Sequence, residues 1–452
     1  MRSNALLAKL GFLLVLVPVA FGRSYAGAPG ANLPPASFRR YLPVVERRYR
    51  PPESCLPRFA EAQFLLELER PSGLDMVGSG DLNGDGWKDL VVGRLDFGTT
   101  RTFEIDILLS DGRGHLREGT SQLFSGPVPR VQHPREIVIA DFNGDGRTDI
   151  FVADHGQDAP PFPGYQNTLV LSTAGGRMMD ATSNLPQQSD FTHSATAADI
   201  DGDGDVDLYV GNLGPEPPEI LLNNGTGGFE VAVGLLPPAQ RDLSKNWYTT
   251  CEFADVNNDT FPDLILGQGD PNRDSHVLLN DGTGHFSKMG TPLPPTLFAP
   301  NQQLLDIKAA DISGDGYLDL FLSDTRSTYS GRYIQILINN GDGTFRDETA
   351  ARLPQSTNWD TWIRFLDVVD LDYDGDVDIV GHAMAGEGHP FYLNDGRGHF
   401  SLWDNGFEIH SHVFALLDAT GDRRRDIVRG WSAGDGEPEQ YFLFRDMGCV
   451  AE

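Results

Sequence analysis

A nine-residue signature rich in Asp and Gly occurs seven times along the chain, and it limits the possible folds more than any other feature. The copies are DLNGDGWKD (81–89), DFNGDGRTD (141–149), DIDGDGDVD (199–207), DVNNDTFPD (255–263), DISGDGYLD (311–319), DLDYDGDVD (370–378) and DATGDRRRD (418–426). Their starts lie 60, 58, 56, 56, 59 and 48 residues apart. Self-similarity at a fixed period marks an architecture of stacked units that share a core with their neighbours.

Each copy sits between short apolar runs, such as EIVIA (136–140) before the second loop and IFVA (150–153) after it. Runs of this length bounded by Asp and Gly read as strands, so the nine-mer is the loop of a β-hairpin. A third strand ends in a second recurrent turn, LSDGRGHL (109–116), LNNGTGGF (222–229), LNDGTGHF (279–286), INNGDGTF (338–345) and LNDGRGHF (393–400), whose glycines supply the positive φ of tight turns. Four antiparallel strands per repeat make a propeller blade. The expectation is an all-β, seven-bladed β-propeller over residues 73–452. After the seventh loop only two further strand-like runs follow, Asp426–Trp431 and Gln440–Phe444. The missing strand is expected from Gln63–Glu69, within a lead segment 29–72, so that the N-terminal region closes the ring.

That closure would bring Cys55 beside Cys449 as a disulfide, with Cys251 buried in the inner strand of the fourth blade. Three free thiols are the alternative, since composition alone does not choose a pairing. Arg2 and Lys9 precede an apolar run at 10–21 and the small residues Ala26-Gly27-Ala28. This is the order of a secretory signal peptide, here residues 1–28, and the run is too short to span a bilayer. The expected product is exported, periplasmic or extracellular, without a transmembrane segment, and monomeric.

The formal net charge is −30, which argues against nucleic acid as a partner. Twenty-five of the 65 acidic residues lie in the seven loops. Oxygen donors recur at positions 1, 3, 5 and 9, with Gly at position 6 for the bend, a pattern that suits Ca2+ better than Mg2+. An EF-hand is excluded, because position 12 is Val92, Val152 and Val210 instead of Glu and strands flank the loops. The candidate ligands are Asp81, Asn83, Asp85 and Asp89; Asp141, Asn143, Asp145 and Asp149; Asp199, Asp201, Asp203 and Asp207; Asp255, Asn257, Asp259 and Asp263; Asp311, Ser313, Asp315 and Asp319; and Asp370, Asp372, Asp374 and Asp378. Position 9 is expected to supply the bidentate carboxylate. The third and sixth loops, with Asp at all four positions, should bind most tightly, and five to six sites are expected. In the fourth loop Thr260 replaces the glycine, which puts its bend in question. The seventh carries Arg423-Arg424-Arg425 and should bind no metal, a guanidinium supplying the positive charge. The same residues also build Asx turns without any ion.

These loops and the Asn-Asp-Gly-x-Gly-x-Phe turns resemble FG-GAP or VCBS repeats, the calcium-loop propeller repeats shared with integrin alpha subunits and many secreted bacterial proteins. The resemblance implies a calcium-binding propeller, but its members include adhesion receptors, lectins and polysaccharide lyases, so it does not name an activity. It also implies that the calcium loops occupy one rim and leave the opposite face for ligands. Eight and six residues before each loop, the chain places His133, Trp247, Gln303, Trp362 and His410, and Arg135, His193, Arg364 and His412. Flat rings and forked donors at one opening suit a sugar or polar ligand; inter-blade packing is the plainer use of the same residues. His115, His285 and His399 fall inside Gly-x-Gly-His turns and read as turn residues. Nucleophile and zinc-protease motifs are missing from the sequence. Two functions follow: a secreted ligand-binding or adhesion module for carbohydrate or protein, or a polysaccharide lyase or hydrolase using His and Arg at the mouth.

Overall fold

The computed structural model describes residues 58–68, 73–214, 216–242, 247–269, 274–287, 290–355, 361–383, 388–403, 413–432 and 438–448. The expected signal peptide, Cys55, Cys449, His410 and His412 lie outside the described residues. Seven four-stranded antiparallel sheets follow one another along the chain. Each nine-mer joins the inner strand of a blade to its second strand: Gly73–Gly80 to Asp89–Leu95, Pro134–Ala140 to Asp149–Asp154, Thr192–Ala198 to Asp207–Asn212, Tyr248–Ala254 to Asp263–Gln268, Gln302–Ala310 to Asp319–Arg326, Ile363–Val369 to Asp378–Ala383 and Val413–Leu417 to Asp426–Ser432. In the seventh blade the outermost strand is Gln63–Leu68, paired antiparallel with Glu439–Phe444.

The core lies between the blades. Separate apolar clusters unite blades 2 with 3, 3 with 4, 4 with 5, 5 with 6, and 6 with 7, and the largest joins blades 7, 1 and 2. Both faces of each inner pair of strands are therefore buried, which is why runs such as DLVVG and DIFVA lack the in-out alternation of a half-exposed sheet. Buried Arg94 ties the seam: it bridges Asp106 of blade 1 and Glu439 of blade 7.

The loops fold on a common plan. Positions 4 and 6 take positive φ in all seven, from Gly84 and Gly86 in the first to Gly421 and Arg423 in the seventh. Thr260 keeps the bend of the fourth loop at φ +80°, a conformation a β-branched residue adopts only under strain. The amide at position 6 donates to the position 1 carboxylate throughout, as Gly86 does to Asp81 at 2.9 Å and Arg423 to Asp418 at 2.8 Å. Position 9 has a distinct role. Its carboxylate is at most 1% exposed in every copy, and its two oxygens accept amides from loop position 2 and from the end of the third strand. In blade 3 the donors to Asp207 are Ile200 (3.2 Å) and Asn223 (2.8 Å); in blade 7 those to Asp426 are Ala419 (3.1 Å) and Asp446 (2.9 Å). The Asn that opens the second turn then reaches the preceding blade: the Nδ2 groups of Asn223, Asn280 and Asn339 donate to the carbonyls of Phe142, Ile200 and Val256 at 2.7, 2.8 and 2.7 Å. The two turns are thus parts of one hydrogen-bonded unit.

Candidate functional site

Because strands alternate in direction, the nine-mer loops and the Gly-x-Gly turns share one end of every blade. The connections from second to third strand, and from each blade to the next inner strand, share the other.

At the acidic end, Asp199, Asp201 and Asp207 of the third loop each place a carboxylate oxygen within 4.8 Å of the others, and so do Asp370, Asp372 and Asp374 of the sixth. Three clustered carboxylates are a donor set for a hard cation. Burial, reinforced by the neighbouring carboxylates, pushes Asp207 up to about 8 and Asp372 up to about 7. In the first and fourth loops the position 3 amide instead donates to the position 5 carboxylate, Asn83 to Asp85 at 3.0 Å and Asn257 to Asp259 at 2.9 Å, a neutral group standing against a charge. The seventh loop's arginines reach beyond their own loop. Arg425 lowers the carboxyl of Asp370 in the sixth loop and Arg424 lowers that of Asp446, each opposing a larger upward push from burial. His115, His285 and His399 are exposed turn residues; His115 Nδ1 bonds the Asp111 carboxylate at 2.8 Å.

At the opposite end, the residue six before each loop is the extra residue of a β-bulge in the inner strand. Asp75, Arg135, His193, Thr249, Leu305 and Arg364 fall at the register shift in blades 1 to 6. A bulge re-aims a side chain that the pleat would otherwise send between the sheets. These residues meet across the ring. Arg364 Nη2 donates to Asp75 Oδ1 at 3.4 Å, spanning from blade 6 to blade 1. Arg135 donates to His193 Nε2, whose Nδ1–H donates to the Thr249 carbonyl at 3.0 Å; Thr249 in turn donates to the Leu304 carbonyl at 2.6 Å. Burial holds His133, His155 and His193 well below the usual imidazole range, and nearby Arg135 adds to the effect. They are therefore neutral at pH 7.

Around this buried network lie exposed apolar side chains. Phe97, Phe162, Trp247 and Leu297, 40–51% exposed, all belong to connections at this end. Trp362 leans on Tyr329 with ring centres 5.3 Å apart, and Gln303 donates to the Tyr329 hydroxyl at 2.8 Å. Below the mouth, Lys308 pairs with Asp306 at 3.1 Å and attracts Glu252 and Glu136.

Of the sequence-derived positions, the structure gathers His133, Arg135, His193 and Arg364 at the buried mouth, while Gln303 and Trp362 meet Tyr329, whose hydroxyl feels the charge of Arg135. Trp247 stands on the rim. Sequence reasoning missed His155, Asp158, Tyr329 and His382, which lie on second strands or the connections that follow them. The available signal was topological: the end of every second strand arrives beside the mouth. His155 stacks on Phe191 at 4.1 Å and meets His133 edge-on at 4.2 Å. His382 Nε2 donates to Asp367 Oδ2 at 2.8 Å, and its ring stacks on Phe414 of blade 7 at 3.9 Å.

A sequence model of the FG-GAP-like repeat matches residues 81–152, 141–210, 255–322 and 323–381, together more than half of the chain. No curated protein matches the chain. Among solved structures, one similar chain is a lectin from Agrocybe aegerita, reported for specific recognition of non-reducing terminal N-acetylglucosamine. It has 18% identity and a TM-score of 0.46, covering 79% of this chain and 92% of the lectin.

Proposed function

The chain belongs to the FG-GAP-like repeat family, and from that premise we propose that it is an exported binding module that takes a carbohydrate on the propeller face opposite the acidic loops. The observation that carries this reading is the arrangement of the mouth. Five of the six bulges place polar side chains, Asp75, Arg135, His193, Thr249 and Arg364, in a buried cluster linked by hydrogen bonds, and exposed aromatic rings stand on the connections around it. Flat rings offer faces for sugar rings, and guanidinium and imidazole groups offer directional donors and acceptors for hydroxyls.

Calcium fits the acidic end as a stabilising cofactor. In the third loop Asp199, Asp201, Asp203 and Asp207 would hold it, and in the sixth Asp370, Asp372, Asp374 and Asp378. A bound divalent cation offsets the repulsion of clustered carboxylates and so rigidifies the rim. The residues at the mouth then bind, orient and desolvate the ligand.

The test is to incubate the protein with a panel of polysaccharides in calcium-containing buffer, scoring both retention and the appearance of new reducing or unsaturated chain ends. Retention without new ends is expected. New ends would replace the reading with an enzymatic one, and absence of both would transfer the mouth to a protein partner.

A further inference from the structure

The sixth loop differs from the other six at one oxygen. In each of those six the position 1 Oδ1 accepts a loop amide at 2.7–3.1 Å, as Asp199 Oδ1 does from Gly202 at 2.8 Å. Asp370 Oδ1 is buried and accepts no hydrogen bond among the described residues. The cause is in the sequence. Position 4 is Gly in five copies and Asn258 in the fourth, whereas the sixth has Tyr373, a bulky residue held at φ +63°. Its amide pulls on Asp370 without closing a hydrogen bond to Oδ1. The orphaned oxygen belongs to the cluster in which Asp370, Asp372 and Asp374 bring their carboxylates together, and Asp372 is only 8% exposed. That donor set fits a hard cation.

Tyr373 also reaches the neighbouring blade. Its hydroxyl accepts the backbone N–H of Arg425 in the seventh loop. That bond keeps half-buried Arg425 beside the sixth loop, where its positive charge acts on both Asp370 and Tyr373. No ion pair among the described residues commits the guanidinium elsewhere. The third loop has the same four aspartates in a different setting. There the strongest charges acting on Asp199 are those of Asp203 and Asp201, both negative.

We infer that Arg425 is the resident counter-charge of the sixth loop and lowers that loop's affinity for calcium below that of the third. The inference rests on the calcium reading of the acidic rim. A fixed guanidinium repels a cation that enters the same donor set, and at the effective dielectric of a half-buried site this should weaken binding about three- to tenfold. The arginine of one blade thus tunes the metal site of the blade before it.

The experiment titrates calcium into the full chain, freed of divalent ions by chelation and dialysis, with calorimetry as the readout. Asp201→Asn and Asp372→Asn assign the heats of the third and sixth loops. The sixth-loop heat should report the weaker site, and Arg425→Gln should tighten it about three- to tenfold while leaving the third-loop heat as in the parent. Arg425→Lys keeps the charge and should stay within about twofold of the parent, as should Arg423→Gln, which alters an exposed neighbour in the same loop. Arg425→Met also removes the charge and serves where Arg425→Gln does not fold. A parent sixth loop as tight as the third would overturn the inference and leave calcium at the rim standing. So would a sixth loop that is unchanged, weaker or silent once the charge is gone, or an equal gain in Arg423→Gln. Absence of calcium heat from the parent and every variant would remove the calcium reading as well.

Discussion

Replacing Asp by Asn at position 9 of two different loops separates what the fold requires from what a cation adds. In the seventh loop, Asp426 accepts the amides of Ala419, Thr420 and Asp446 at 3.1, 3.0 and 2.9 Å. In the third, Asp207 accepts those of Ile200 and Asn223 at 3.2 and 2.8 Å. Asn at either position keeps one oxygen and turns an NH2 group toward an amide donor, so at least one buried N–H loses its partner. That should destabilise each variant by about 1–3 kcal/mol. Asp207 carries a second role if the third loop takes calcium. With Ca2+ at 100 times its dissociation constant, bound metal contributes about 2.7 kcal/mol, and a weakened site forfeits most of it. Denaturant unfolding in calcium and in chelator reads both terms. From chelator to calcium, the penalty of Asp207→Asn should grow by roughly 2 kcal/mol while that of Asp426→Asn stays the same. Equal penalties in both buffers would refute calcium at the third loop. A seventh-loop variant as stable as the parent would refute the bridging role of position 9.

Four further outcomes are expected. Chelation of the unmodified protein should lower its melting temperature, and an unchanged melt would exclude a structural cation. Arg94→Met should destabilise the ring by about 3–5 kcal/mol, because it takes the neutralising guanidinium from buried Asp106 and Glu439; the triple change with Asp106→Asn and Glu439→Gln should recover much of the loss in thermal unfolding. Burial pushes the Asp324 carboxyl up to about 7, so its contribution is fully present below pH 4 and is lost as pH rises through 7. Asp324→Asn should therefore stabilise the protein by some 2–4 kcal/mol at pH 8 and by little at pH 4; a gain independent of pH would contradict this assignment. Trp247 is 48% exposed, so Trp247→Ala should leave the melt unchanged and weaken polysaccharide retention about three- to tenfold.

The architecture was legible because its signals are local and repeated. The Asp-Gly loops, the Asn-Asp-Gly turns and the runs between them mark hairpins wherever they occur, and seven copies count the blades. The positions six before each loop were legible for the same reason, since a fixed offset from the loop fixes height in the ring. Their partners were not. Arg364 reaches Asp75 past an intervening blade, and a one-dimensional repeat does not say which blades converge on the axis. His382 and His155 escaped notice because they lie on or just past second strands, where no offset from an inner strand marks them. Position 9 shows a different limit. Its Asp recurs even in the arginine-bearing seventh loop, a sign that the residue serves the fold; read only for donor type, it passed for a metal ligand alone.

The strand at Gln63–Leu68 also bears on how the molecule comes into being. It is made early on the ribosome, yet its partner, Glu439–Phe444, is made some 370 residues later. Each of the first six blades can assemble from contiguous chain as it emerges, whereas the seventh must wait until Glu439–Phe444 has been made. Until then the early strand has no sheet to join, and the nascent arc carries open edges that invite pairing with other chains. Any synthesis cut short before residue 439 leaves an arc that cannot become a ring, so closure of the last blade reports that synthesis has passed that strand.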